Sequence, residues 1–72
     1  METTIKLFDI VALTEALPEH NLVVGQVGTV VEILEPGAFE VEFSDNDGVA
    51  YALLTVRTKQ LMILHYRPVK VA

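Results

Sequence analysis

The sequence predicts an all-β fold, and three observations carry that expectation. Phe39-Glu40-Val41-Glu42-Phe43 alternates apolar and acidic residues, the period of a strand with one buried and one wet face. The clusters Glu35-Pro36-Gly37-Ala38 and Ser44-Asp45-Asn46-Asp47-Gly48 frame it, with Pro to preset φ and Gly or Asn to accept positive φ, so each reads as a hairpin turn. The segments on either side are rich in β-branched and aromatic residues, which suit a pleated, half-buried surface.

Taken in order, residues 8–13 form an expected first strand. A long loop follows over residues 14–24, where Pro18 interrupts any helix begun by Thr14-Glu15-Ala16-Leu17 and where Leu17, Leu22 and Val24 can fold back over the sheet. Gly25 and Gly28 bracket the entry to a second strand over 29–34, at a place where a bend or bulge favours a residue without Cβ. The third strand is 39–43 and the fourth 49–56, which together with the second make an antiparallel meander. Thr58-Lys59-Gln60-Leu61 suits one short helical turn before a last strand over 62–65. This order describes a small SH3-like five-stranded barrel with a long first loop and a short one-turn helix before the last strand, since closure removes edges that an open sheet would expose. Residues 1–66 are read as one domain and 67–72 as a C-terminal tail with Pro68 in it. The expected core is Val11, Leu13, Val30, Ile33, Phe39, Val41, Phe43, Tyr51, Leu53, Leu61 and Ile63.

A chain of 72 residues is one domain, of a size that buries only about 60% of the surface its unfolded form exposes. It has no Cys, hence no disulfide, thiolate metal site or cysteine nucleophile, and nothing that points to an oxidising compartment. The first residues lack the basic and apolar regions of a signal peptide, and no run approaches the roughly 18 apolar residues of a membrane span, so a cytoplasmic location and no membrane partner are expected. Charge is strongly segregated. Residues 7–56 contain Asp9, Glu15, Glu19, Glu32, Glu35, Glu40, Glu42, Asp45 and Asp47 and no Lys or Arg, while Lys6, Arg57, Lys59, Arg67 and Lys70 lie towards the ends. A body of that sign, in a chain of net charge -5, lacks the basic stripe that phosphate contacts need, which argues against nucleic acid as a partner.

No catalytic, cofactor or metal site is expected. Asp45-Asn46-Asp47-Gly48 resembles the opening of a calcium loop but is followed by apolar residues where a bidentate acid belongs, so it reads as a turn held by Asx side chains. His20 and His65 are too few for a histidine metal site, and Glu19 beside His20 is not spaced to act as a base on any Ser or Thr. Gly25-x-x-Gly28 lacks the Lys and the following helix of a phosphate loop.

Several blocks also resemble a known family. Asp9-Ile10-Val11-Ala12-Leu13-Thr14, Leu17-Pro18-Glu19, Gly25-Gln26-Val27-Gly28-Thr29-Val30-Val31-Glu32, Phe39-Glu40-Val41-Glu42-Phe43, Asp47-Gly48 and Leu54-Thr55-Val56 are similar, in that order, to the family catalogued as domain of unknown function 4926. The resemblance spans about residues 7–64 and transfers no catalytic or ligand residue. It implies a small bacterial protein, common in cyanobacteria, often encoded beside another small gene in the manner of toxin and antitoxin pairs.

The binding surfaces expected from the residues are two. Glu32, Glu40 and Glu42 fall on the wet side of adjacent strands and make an acidic face suited to a basic protein. Leu34, Leu54, Met62 and Leu64 are left over once the core is filled, so some of them should form an outer apolar patch on the last two strands, for a homodimer or a partner. The function so expected is a non-enzymatic protein-binding module, an acidic antitoxin-like or accessory subunit for a basic partner. The alternative is a homo-oligomeric structural module or a small subunit of a larger complex.

Overall fold

The computed structural model describes residues 4–68. Residues 69–72 of the expected tail, Lys70 among them, lie outside the described residues. The fold is all-β, with strands β1 (Ile10–Leu13), β2 (Val27–Glu35), β3 (Ala38–Ser44), β4 (Ala50–Arg57) and β5 (Leu61–Ile63). Two single 3-10 turns, Pro18–His20 and Thr58–Gln60, are the helical elements among the described residues. Among these residues no helix is long and apolar enough to cross a membrane.

The strands form one antiparallel sheet in the order β4-β3-β2-β1-β5. The sheet is not closed, contrary to the expected barrel, because β4 and β5 are its two edges. The 3-10 turn between them nevertheless ties distant parts together. The Thr58 backbone N–H donates to the Gly37 carbonyl at 3.1 Å, and the Thr14 hydroxyl donates to the Lys59 carbonyl at 3.0 Å.

Both hairpin turns form where their residues predict. Gly37 and Gly48 take φ of +85° and +80°, a region that a Cβ disfavours. Asp45 Oδ1 accepts from the Asp47 and Val49 backbone N–H groups at 2.9 and 3.0 Å, so its oxygen stabilises the turn itself. The strand bounds differ from expectation at the two ends of the chain. Phe8 lies outside β1 in a turn, at φ +71°, and β5 ends at Ile63 rather than His65.

The core contains Val11, Leu13, Val30, Phe39, Val41, Phe43 and Leu61, as expected, with Ile63 packed against it. Ile33, Tyr51 and Leu53 are not in it, being 46%, 49% and 57% exposed. The inward residues of β4 are Ala52, Leu54 and Val56 instead. The cause is a register shift between Phe43 and Ser44, which turns the strand by one residue and moves its whole inward set to the other face. Ile33 is in register with Phe39 beyond a shift in β2 and lines an open groove with Ile5, Pro36 and Phe39. Ile5, Leu17 and Leu22 complete the core from outside the sheet, the last two joined as an isolated antiparallel bridge.

Candidate functional site

The outward side of β2, β3 and β4 gathers the acidic residues. In β3 the strand period turns Phe39, Val41 and Phe43 into the core and leaves Glu40 and Glu42 half-buried on the opposite side. Register then fixes their neighbours. Glu40 lies between Glu32 of β2 and Thr55 of β4, and Glu42 lies between Thr29 and Leu53. Directly opposed residues on one face of an antiparallel pair have Cβ atoms roughly 4.5–5.5 Å apart, so Glu32 and Glu40 are a like-charge pair that costs stability.

Little cationic charge offsets them. The Thr55 hydroxyl donates to Glu40 Oε1 at 3.1 Å, which fixes that carboxylate but leaves its charge uncompensated. Arg57 pairs with Glu35 at 3.4 Å, further along the same side, where Ala38 stands between them in register. Among the described residues Glu32, Glu40 and Glu42 enter no ion pair. The result is an acidic strip beside exposed apolar groups. Leu53 adjoins Glu42, and the Tyr51 hydroxyl is held by Gln26 Nε2 at 2.9 Å, while Gln26 Oε1 accepts from the Val23 backbone N–H at 2.6 Å. Such an arrangement presents negative charge with an aromatic and an aliphatic side chain next to it.

The seven sequence-derived site residues do not all meet. Glu32, Glu40 and Glu42 share one face as expected. The apolar four are dispersed, since β4 and β5 sit at opposite edges of the sheet and cannot offer a joint patch. Leu54 is corrected to an inward residue packed against the core. Leu34 is 47% exposed at a shift in the β2 register, away from Met62 and Leu64. Met62, 53% exposed, aligns with Ala12, which aligns in turn with Val27, and the half-buried Leu64 donates its N–H to the Ile10 carbonyl at 2.9 Å. A smaller apolar surface on β5, β1 and β2 therefore replaces the expected one. Sequence reasoning missed Tyr51 and Leu53 as surface residues, because Tyr51 is an extra residue within β4, skipped where Phe43 pairs with Ala52 and Ser44 with Ala50.

Elsewhere the surface offers little reactive chemistry. The open groove near the start of the chain, about 440 Å³, is lined by Thr4, Ile5, Ile33, Pro36, Gly37, Phe39 and Thr58, none of them ionisable near neutral pH. His20 and His65 are exposed. Among the described residues no group of three His, Cys, Asp or Glu side chains is placed to hold a metal ion.

A small all-β module with a charged outer face is thus the class of protein that the fold defines. A family model described as Domain of unknown function (DUF4926) matches residues 7–63, and the chain belongs to that family. No curated protein and no solved structure matches it.

Proposed function

We propose that this chain is a non-enzymatic protein-binding module of SH3-like build, which docks a basic protein on the outer side of β2, β3 and β4. The observation that carries the reading is the direct opposition of Glu32 and Glu40, with Glu42 two residues on and no cation paired to any of the three among the described residues. Like charges facing each other across a ladder cost stability, and a basic surface that met them would turn that cost into attraction. The neighbouring Leu53 and Tyr51 supply contact area that charge alone does not. The SH3-like assignment rests on the long first loop, on β1 lying between β2 and β5, and on the 3-10 turn immediately before β5.

An accessory or antitoxin-like subunit fits this chemistry, because long-range attraction speeds capture of an oppositely charged partner. The test is capture from an extract of the native host at low salt, using the wild type and the triple variant Glu32→Gln, Glu40→Gln, Glu42→Gln. The expected result is a basic protein of sub-stoichiometric to equal amount on the wild type, released by added salt and absent from the triple variant. Retention of the same protein by the triple variant, or a captured protein that is acidic, would remove the reading.

A further inference from the structure

β4 is a sheet edge of unusual composition. Its run Ala50-Tyr51-Ala52-Leu53-Leu54-Thr55-Val56 contains no charge, no Pro and no Gly, and no strand pairs with its outer side among the described residues. Natural edges are blunted by short length, by Lys or Pro, or by a covering segment, because a bare row of N–H and C=O groups is a template for another chain. The opposite edge, β5, is blunted by its length of 3 residues. β4, with 8 residues, has no Lys, Pro or covering segment among the described residues until Arg57 at its end, and its one register shift is confined to Tyr51 near its start, leaving residues 52–56 regular.

The side chains that could fold over this edge are instead drawn away from it. Tyr51 is bonded to Gln26 before β2, Thr55 to Glu40 on β3, and Arg57 to Glu35 on β2. All three bonds run towards the interior of the sheet, and among the described residues no segment hydrogen-bonds to the outer backbone rim of β4. Leu53 between them is exposed and unguarded.

We propose that β4 is the strand through which two copies of this chain pair, antiparallel and edge to edge, about Leu53. A second copy is the occupant that the chemistry selects. The run is neutral in a chain of net charge -5, so the edge itself sets up no repulsion between copies and gives a basic partner nothing to read. Antiparallel pairing of a strand with itself is isologous and closes as a dimer, whereas pairing β4 with the short β5 of a neighbour would continue without end. Centred on Leu53, the register sets Leu53 against its symmetry mate and Tyr51 against Thr55 of the second copy, an aromatic to β-branched pair of the kind that suits adjacent strands. The acidic residues tolerate the arrangement. The two Glu42 side chains would be three strand spacings apart, roughly 14 Å, beyond the ~8 Å over which charges act at physiological salt.

The experiment is sedimentation equilibrium of the full chain from micromolar to millimolar concentration, for wild type, Leu53→Lys and Met62→Lys. The expected wild-type mass rises to twice the 8.0 kDa of one chain. Leu53→Lys is expected to raise the dissociation constant at least tenfold without loss of the far-UV circular dichroism signal, and Met62→Lys to leave the dimer intact. A wild type that stays monomeric throughout, a dimer dissociated by Met62→Lys and untouched by Leu53→Lys, or open-ended oligomers overturn the proposal. Should Leu53→Lys fail to fold, amide hydrogen exchange of the wild type decides. Protection over residues 50–56 that rises with protein concentration supports the pairing, and exchange independent of concentration overturns it.

Discussion

Gly28→Ala tests the packing of β2 on β3 at its tightest point. Gly28 is buried in the ladder, in register with Val11 on one side and Phe43 on the other. Its φ lies outside the left-handed region, so the constraint is one of space. A Cβ there would come to 2.6 Å from Val41 Cγ1, 2.9 Å from the Glu42 carbonyl oxygen and 3.0 Å from Phe43 Cδ1. Val41 and Phe43 are fully buried and have no solvent to rotate into, while the carbonyl belongs to the backbone. The strands must therefore separate locally, which at typical overpacking costs of about 1–3 kcal/mol is offset only partly by the ~0.4–1 kcal/mol gained from a stiffer unfolded chain. A net loss of roughly 1–2 kcal/mol lowers the melting temperature of a domain this size by about 4–16 °C. Thermal unfolding followed by far-UV circular dichroism measures it. Val41→Ala removes the closest clashing atom, so it should cost less in the Gly28→Ala background than in the wild type. A Gly28→Ala protein that melts at or above the wild type, or strict additivity with Val41→Ala, refutes the reasoning.

Three further outcomes are expected. Phe43→Ala empties the largest fully buried side chain and should cost about 3–5 kcal/mol, comparable with the whole stability of a domain of 72 residues, so its proton NMR spectrum should lose the dispersion of a folded chain. Val56→Asp puts an unpaired carboxylate at an inward position of β4 and should unfold the protein, whereas a cooperative melt near that of the wild type would restore the opposite facing of that strand. Gly48→Val places a Cβ that meets no atom within 4 Å but must hold φ near +80°, which should cost about 1–3 kcal/mol in a denaturant titration, and a midpoint equal to that of the wild type would contradict the turn geometry.

The sequence declares β3 because Phe39 to Phe43 alternates residues of opposite polarity, and a contrast of that kind has one solution. β4 carries no such contrast. Tyr51, Leu53 and Thr55 on one side and Ala52, Leu54 and Val56 on the other are nearly equal in polarity, so the facing is decided by whether the strand carries an extra residue at its start, and here Tyr51 is that residue. One residue at the shift between Phe43 and Ser44 reverses it. Ile5 joins the core from a position before β1, and no strand period reaches it. The acidic face was legible for the same reason as β3, since alternate glutamates in β3 and an antiparallel partner bearing Glu32 must share a side. The outer apolar patch was not, because its members belong to β4 and β5, whose places at opposite edges depend on sheet order rather than on chain order.

On the proposed function, Glu32, Glu40 and Glu42 serve a partner at some expense to the isolated fold. Glu32→Gln separates the two effects, since Glu32 is exposed and faces Glu40 directly. Relief of a like-charge pair across a ladder is worth about 0.2–1 kcal/mol, or roughly 1–8 °C in melting temperature for a domain this small. One comparison at low salt, of melting temperature and of binding to the captured basic protein, should give opposite signs: the variant melts higher and binds more weakly than the wild type. A variant that melts lower, or that binds as tightly as the wild type, contradicts the account.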